Sequence, residues 1–346
     1  MEAVSARRWL MVAVSLAALV LVWPVLARVY GEAGDALTLS PLWLLAIVAA
    51  VAVQMLANWE LHRLVLRTDN RFDIGASQLA GNAASHLLPG GNAIGAGVHI
   101  RMMTVAGFSV TRTVAALGAV SVVGAVSGLV VLPLIVLIAS ALGSDIDPSL
   151  VGAMWAGAAV LFVILVVIAV GAMRDAPWRW LAGVVAGVQR RLRRETDVAE
   201  LRLRMLGERD VILRSLRDQP ARVLLIDFVR AFGDYLALYL ALRATGAHVN
   251  PAAALAAFIV SNVAGMIPIT PGGLGFVEAG LSGVLTVAGA TEMQASLTVV
   301  TYRLAATWLP CLAAAVALVL FQRRHRERRL KEVLVPPADP SARILP

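Results

Sequence analysis

Leu150 to Met173 is a run of apolar and small residues without a single charge. At about 1.5 Å per residue, a helix of that length covers the roughly 30 Å hydrocarbon core of a bilayer. Comparable runs occur at Trp9 to Val29, Pro41 to Leu66, Val114 to Ala139, Val223 to Leu242 and Gln294 to Phe321. Six such segments predict an all-α integral membrane protein with six spanning helices. The composition agrees: 59% of the 346 residues are hydrophobic and the mean hydropathy is +0.80, whereas a soluble domain is about half apolar.

The net charge of +8 could point to nucleic acid. Its distribution points elsewhere. Basic residues cluster beside the apolar runs: at Arg7 and Arg8, from Arg63 to Arg71, at Arg112, across 174–222, and from Arg323 to Lys331. The loops at 31–40, 141–149 and 244–250 hold no lysine or arginine. This is the positive-inside pattern. It predicts a multi-pass protein of the bacterial cytoplasmic membrane with both termini cytoplasmic, and no nucleic-acid partner. The first run resembles a signal peptide, but Val25-Leu26-Ala27 is a poor cleavage site, so it reads as an uncleaved first span. Cys311, the one cysteine, lies within an apolar run; no disulfide and no Cys/His metal set can form, and no cofactor is expected.

Two stretches break the apolar pattern. Pro89-Gly90-Gly91 and Pro271-Gly272-Gly273 stand 182 positions apart, and each is followed at the same distance by Thr-Val-Ala-Gly, at Thr104 to Gly107 and Thr286 to Gly289. The segments around them, 73–108 and 251–290, are too short and too polar for two good spans each. They read as re-entrant hairpins, since irregular backbone at membrane depth is tolerated where it lines a cavity. The other reading, two thin spans per hairpin, gives ten spans and disturbs the charge bias at Arg101 and Arg112. With hairpins, each half runs span, span, hairpin, span, in opposite orientations. The transmembrane domain is then 1–321, with repeat one at 9–139 and repeat two at 150–321. The basic segment 174–222 is a cytoplasmic helix or connector, and 322–346 is a basic tail expected to be disordered.

The tips are candidate substrate-binding elements. Glycines at Gly90, Gly91, Gly272, Gly273 and Gly275 free the backbone, and the helix starting after each tip presents its positive dipole end. Charges at membrane depth are costly, about 2.5–3.5 kcal/mol each on insertion scales. Asp227, Arg230 and Asp234 fall on one helix face of the fifth span. Arg303 lies in the last span, Glu278 follows the second tip, and Arg101 lies in the first hairpin. These residues could hold an anionic headgroup, or they could pair internally and only tie helices together. His62 and His99 read as interfacial, and for Asn82 and Asn262, seven and nine residues before their tips, helix packing is as good an account as a ligand.

Leu88-Pro89-Gly90-Gly91 with Arg101 and Ala106-Gly107, then Pro271-Gly272-Gly273-Leu274-Gly275 with Glu278, the Gly289 turn and Tyr302-Arg303-Leu304, resembles the transmembrane region of lysylphosphatidylglycerol synthases. The resemblance covers about residues 5 to 325. It implies translocation of an aminoacylated phospholipid or a polyprenyl-phosphate-linked lipid between leaflets, with Glu278, Arg303 and Arg101 at the family's acidic and basic motif positions. The fused soluble synthase domain has no counterpart here. The first motif continues Asn92-Ala93-Ile94-Gly95-Ala96-Gly97 rather than the Gly-Gly-Asp of many relatives. The expected function is therefore flipping of an anionic lipid, not enzymatic synthesis. Its partners would be membrane lipids, with a homo-oligomer or a separate lipid-modifying enzyme possible. The alternatives are a secondary transporter of a small soluble anion and a structural or regulatory membrane protein.

Overall fold

The computed structural model describes residues 41–88, 91–143, 146–173, 217–265 and 276–334, with single positions between 203 and 214. The first span, most of the basic segment and the far C-terminus fall outside the described residues. So do Pro89, Gly90, Pro271, Gly272, Gly273 and Gly275 at the tips. The described residues form helices throughout. They are α1 (Pro41–Leu66), α2 (Arg71–Leu87), α3 (Gly91–Val105), α4 (Val110–Val126), α5 (Leu132–Ala141), α6 (Pro148–Met173), α7 (Pro220–Ala244), α8 (Pro251–Gly265), α9 (Phe276–Val287), α10 (Glu292–Arg303) and α11 (Leu309–Leu334).

Helices Pro41–Leu66 and Glu292–Arg326 are long and apolar enough to cross a membrane. The second is continuous through α10 and α11. The arms of the two interrupted stretches are shorter: α2 and α3 have 17 and 15 residues, and α8 and α9 have 15 and 12. At about 1.5 Å per residue none of these arms reaches the roughly 30 Å of a bilayer core.

The offset of 182 residues recurs in the backbone. Gly107 and Gly289, the last residues of the two Thr-Val-Ala-Gly segments, both take positive φ, +98° and +106°. There a side chain would be strained, so glycine ends the helix. Two residues on, Ser109 accepts from the Arg112 amide and Thr291 accepts from the Gln294 amide, each capping the next helix. Both following helices then widen into a five-residue π-turn, Ser127–Val131 and Leu304–Trp308. Proline explains both. Pro133 and Pro310 stand two residues beyond their π-turns. The proline ring clashes with the carbonyl four residues back and removes its donor, and a π-turn absorbs that misfit.

Helices α1 and α7 pair along their length at the centre. Gly233 makes the close approach possible, since a Cβ there would lie 3.2 Å from Gln54 Cβ and 3.4 Å from the Ala50 carbonyl oxygen. Small residues at such a crossing let backbones gain van der Waals contact that lipid cannot supply. The first hairpin closes in the same way. A Cβ on Gly95 would lie 2.5 Å from the Gly81 carbonyl oxygen and 2.8 Å from Ser85 Cβ. Gly95→Ala should therefore force the arms apart and cost about 1–3 kcal/mol, in the range of an overpacked core. A thermal melt of the purified protein in detergent checks this. Gly97→Ala, where a Cβ meets nothing within 4 Å, should leave the melt unchanged.

The last helix does not end with its apolar part. It continues to Leu334, through residues expected to begin a disordered tail at 322. Extending a formed helix avoids the cost of a new nucleus, and side-chain contacts hold the extension. His325 Nε2 lies 3.1 Å from Asp73 Oδ1, with Asp73 wholly buried. Arg324 stacks 5.1 Å over the Phe72 ring. The C-terminal extension is thus fastened to the start of the first hairpin.

Candidate functional site

Helix α7 carries three ionisable residues within two turns, and its neighbours decide what each one meets. Asp227 is 0% exposed. Its Oδ1 accepts from Arg230 Nε at 2.7 Å, one turn along the same helix. Gly124 on α4 makes room for this pair, since a Cβ there would lie 3.0 Å from Arg230 Nη2. One turn further, Asp234 faces the last helix, where the Tyr302 hydroxyl donates to Asp234 Oδ1 at 2.7 Å. Arg230 and Arg303 both lie within electrostatic reach of Asp234.

Arg303 follows Tyr302 and is the last residue before the second π-turn. Its Nε lies 3.2 Å from Glu278 Oε1, on the first turn of α9. This is an ion pair without hydrogen-bond alignment: Arg303 Nε is buried and makes no hydrogen bond among the described residues. Charge is balanced here while donor capacity is left over. π-turns in α-helices are found frequently at functional sites. This one sets Arg303 at a point where the regular backbone ladder is interrupted.

The structure therefore gathers Glu278, Arg303 and Asp234 into one polar site, joined by Tyr302, with Arg230 adjoining through its pair with Asp227. Arg101 does not join them. It is exposed on α3 and pairs with no carboxylate among the described residues. Of the tip residues only Gly91 is described. It takes φ +51°, the left-handed region that favours glycine, and a Cβ there would meet nothing within 4 Å.

The two histidines read as interfacial are buried, and this corrects the sequence expectation. His62 and His99 are each 3% exposed, with ring centroids 5.7 Å apart. The reason is the glycine crossing of the first hairpin. It brings α3 so close to α2 that His99, one turn beyond Gly95, is sealed between the arms and α1. Tyr302 and the Asp73–His325 pair were likewise not singled out as partners by sequence reasoning. Tyr302 stands beside Arg303 in the quoted motif, which was a usable signal. The other pair joins residues 252 positions apart and left none.

A model of the lysylphosphatidylglycerol synthase transmembrane region matches residues 8–314. The chain belongs to that family. No curated protein sequence matches it. Family and apolar helices together make this a helical membrane protein, and the family ties it to membrane-lipid function. The polar site lies inside the part of the chain that defines the lysylphosphatidylglycerol synthase family, and so do both hairpins.

Proposed function

We propose that this member of the family translocates an anionic lipid, a phospholipid or a polyprenyl-phosphate-linked lipid, between leaflets of the bacterial cytoplasmic membrane. The observation that carries the reading is Arg303. It is a partly buried cation with a buried Nε, beside Glu278 and next to Asp234, on an interrupted helix, with a donor to spare. A guanidinium so placed can hold a phosphate through parallel hydrogen bonds. Glu278 and Asp234 would balance its charge when no lipid is present. The matching caps of the two halves support a repeat, and the charge bias of the loops supports hairpins entering from opposite faces with both termini cytoplasmic. The acyl chains stay in lipid while the headgroup crosses the polar site. The protein acts as a transporter, not an enzyme, and a separate lipid-modifying enzyme or a second copy would be its partner.

The test is reconstitution in liposomes with a fluorescent anionic phospholipid or a labelled polyprenyl phosphate, read by quenching from outside. Inner-leaflet label should become accessible about tenfold faster than in protein-free vesicles, equivalent to about 1.4 kcal/mol of barrier. Movement of neither lipid above the protein-free rate would overturn the reading, and uptake of a soluble anion by the same vesicles would replace it.

A further inference from the structure

The first hairpin and α1 enclose a polar cluster that the headgroup site does not use. His62 and Asn58 lie on α1, Gln78 on α2 and His99 on α3. Asn58 Nδ2 donates to Gln78 Oε1 at 3.3 Å. His62 Nδ1 lies 2.9 Å from the Asn58 carbonyl oxygen. A carbonyl only accepts, so Nδ1 carries the hydrogen and Nε2 presents a lone pair. Among the described residues that Nε2 has no partner. Neither does Gln78 Nε2, nor either ring nitrogen of His99. The Ser77 backbone approaches His99 as a weak hydrogen-bonding contact, outside the geometry of a full hydrogen bond.

Four orphaned polar atoms in one buried place are not sustained in a dry protein. Each bears the full cost of leaving water, and buried groups of this kind are normally bridged by internal water. Two neutral imidazoles reached by water form a proton acceptor. Two imidazoles and an amide fall short of a metal set, and among the described residues no group of three or more His, Cys, Asp or Glu gathers.

We propose that His62 and His99 form a buried, hydrated proton-accepting site in the wall between the first hairpin and α1. A proton delivered by water forms an N–H bond at the free lone pair of one ring. That ring then donates towards the other through the bridging water. The pair takes one proton, because two imidazolium ions this close repel each other. The site lies one helical turn from the end of α1 at Leu66, so the path to the basic, cytoplasmic face is short.

The charged groups around the pair set its response. Arg230 on α7 is within electrostatic reach of His62 and is held by Asp227. Asp73 on α2 is engaged by His325 of α11. Arg101, near His99 on α3, is exposed, and Arg112 on α4 is spent on the Leu66 carbonyl at 2.5 Å. A proton at His62 therefore adds positive charge next to Arg230, on the helix that also carries Asp234. Arriving charge at the first hairpin is thereby felt along α7 at the headgroup site. This use of the proton rests on the reading of the protein as a lipid translocator.

Two measurements on the full chain in vesicles test the proposal. The first is solid-state NMR of protein labelled with ¹⁵N-histidine, with His62→Gln and His99→Gln assigning the two signals by their loss. Both rings should receive magnetisation from water, and one proton per pair should appear as the medium is taken from about pH 8 to about pH 3, a range wide enough for imidazoles buried as these are. Rings that stay dry and neutral throughout would overturn the site. The second is the fluorescent-lipid assay under an imposed pH gradient. The gradient should speed lipid movement several-fold in the unaltered protein and leave the His62→Gln/His99→Gln protein at its gradient-free rate. An equal gradient response in both would overturn the coupling. If the unaltered protein moves no lipid with or without a gradient, the translocation reading falls, and the NMR result by itself decides the proton site.

Discussion

Replacing Arg230 with methionine should destabilise the protein by about 3–5 kcal/mol, the usual result of stranding one member of a buried ion pair. The loss comes from Asp227 rather than from the arginine. Asp227 is 0% exposed, its Oδ1 is held by Arg230 Nε at 2.7 Å, and its Oδ2 has no hydrogen bond. Without Arg230 the carboxylate is left with no compensating donor in an apolar surround. Converting Asp227 to leucine as well should recover most of the loss, because two apolar side chains need no compensation in a helix bundle. Thermal unfolding of the purified single and double variants, compared as a cycle, reads this directly. If Arg230→Met melts with the unaltered protein, the pair is ornamental, and α7 is held by its other contacts, the Gly233 crossing with α1 and the Tyr302–Asp234 hydrogen bond among them.

Much of the fold was legible because its signals are local. Apolar length marked α1, α6 and the last helix, since burying a helix in lipid requires side chains that lipid tolerates. The repeated Thr-Val-Ala-Gly proved to be a helix C-terminus in both halves, with Gly107 and Gly289 at positive φ. Ser109 and Thr291 each cap the next helix. Pro133 and Pro310 were visible as prolines inside apolar runs, but the sequence alone does not tell a kink from a π-turn. The charged residues of α7 were recognisable by their cost at membrane depth. Their pairing was not, because it depends on which helix lies beside each one: Asp234 meets Tyr302 across 68 positions. The histidines misled for the opposite reason. An imidazole near a basic flank suits the interface on chemical grounds, and only the glycine crossing at Gly81 and Gly95, a property of two helices together, sealed them inside. The long C-terminal helix was hidden for a similar reason, since Arg323 to Lys331 has the composition of a solvated tail until His325 finds Asp73.

The strongest effect on function is expected at Arg303. Arg303→Ala should slow lipid movement about 100-fold, equivalent to about 2.7 kcal/mol of barrier. Arg303→Lys should recover only part, because an ammonium cannot grip phosphate with a planar fork. The informative comparison is with Glu278. If the two residues serve only to bind helices α9 and α10 to each other, then Glu278→Gln and Arg303→Gln should each weaken the fold and the movement alike. Neutralising both should restore the two together, since no unpaired charge remains. If Arg303 holds a phosphate, the symmetry breaks. Glu278→Gln removes the arginine's internal competitor and should tighten anionic-lipid binding. Arg303→Gln should abolish movement, and the double variant should melt normally yet move no lipid. The two accounts give the same melting behaviour and opposite transport in the double variant. Transport restored there would remove the headgroup role from Arg303 and leave an ion pair that only joins two helices.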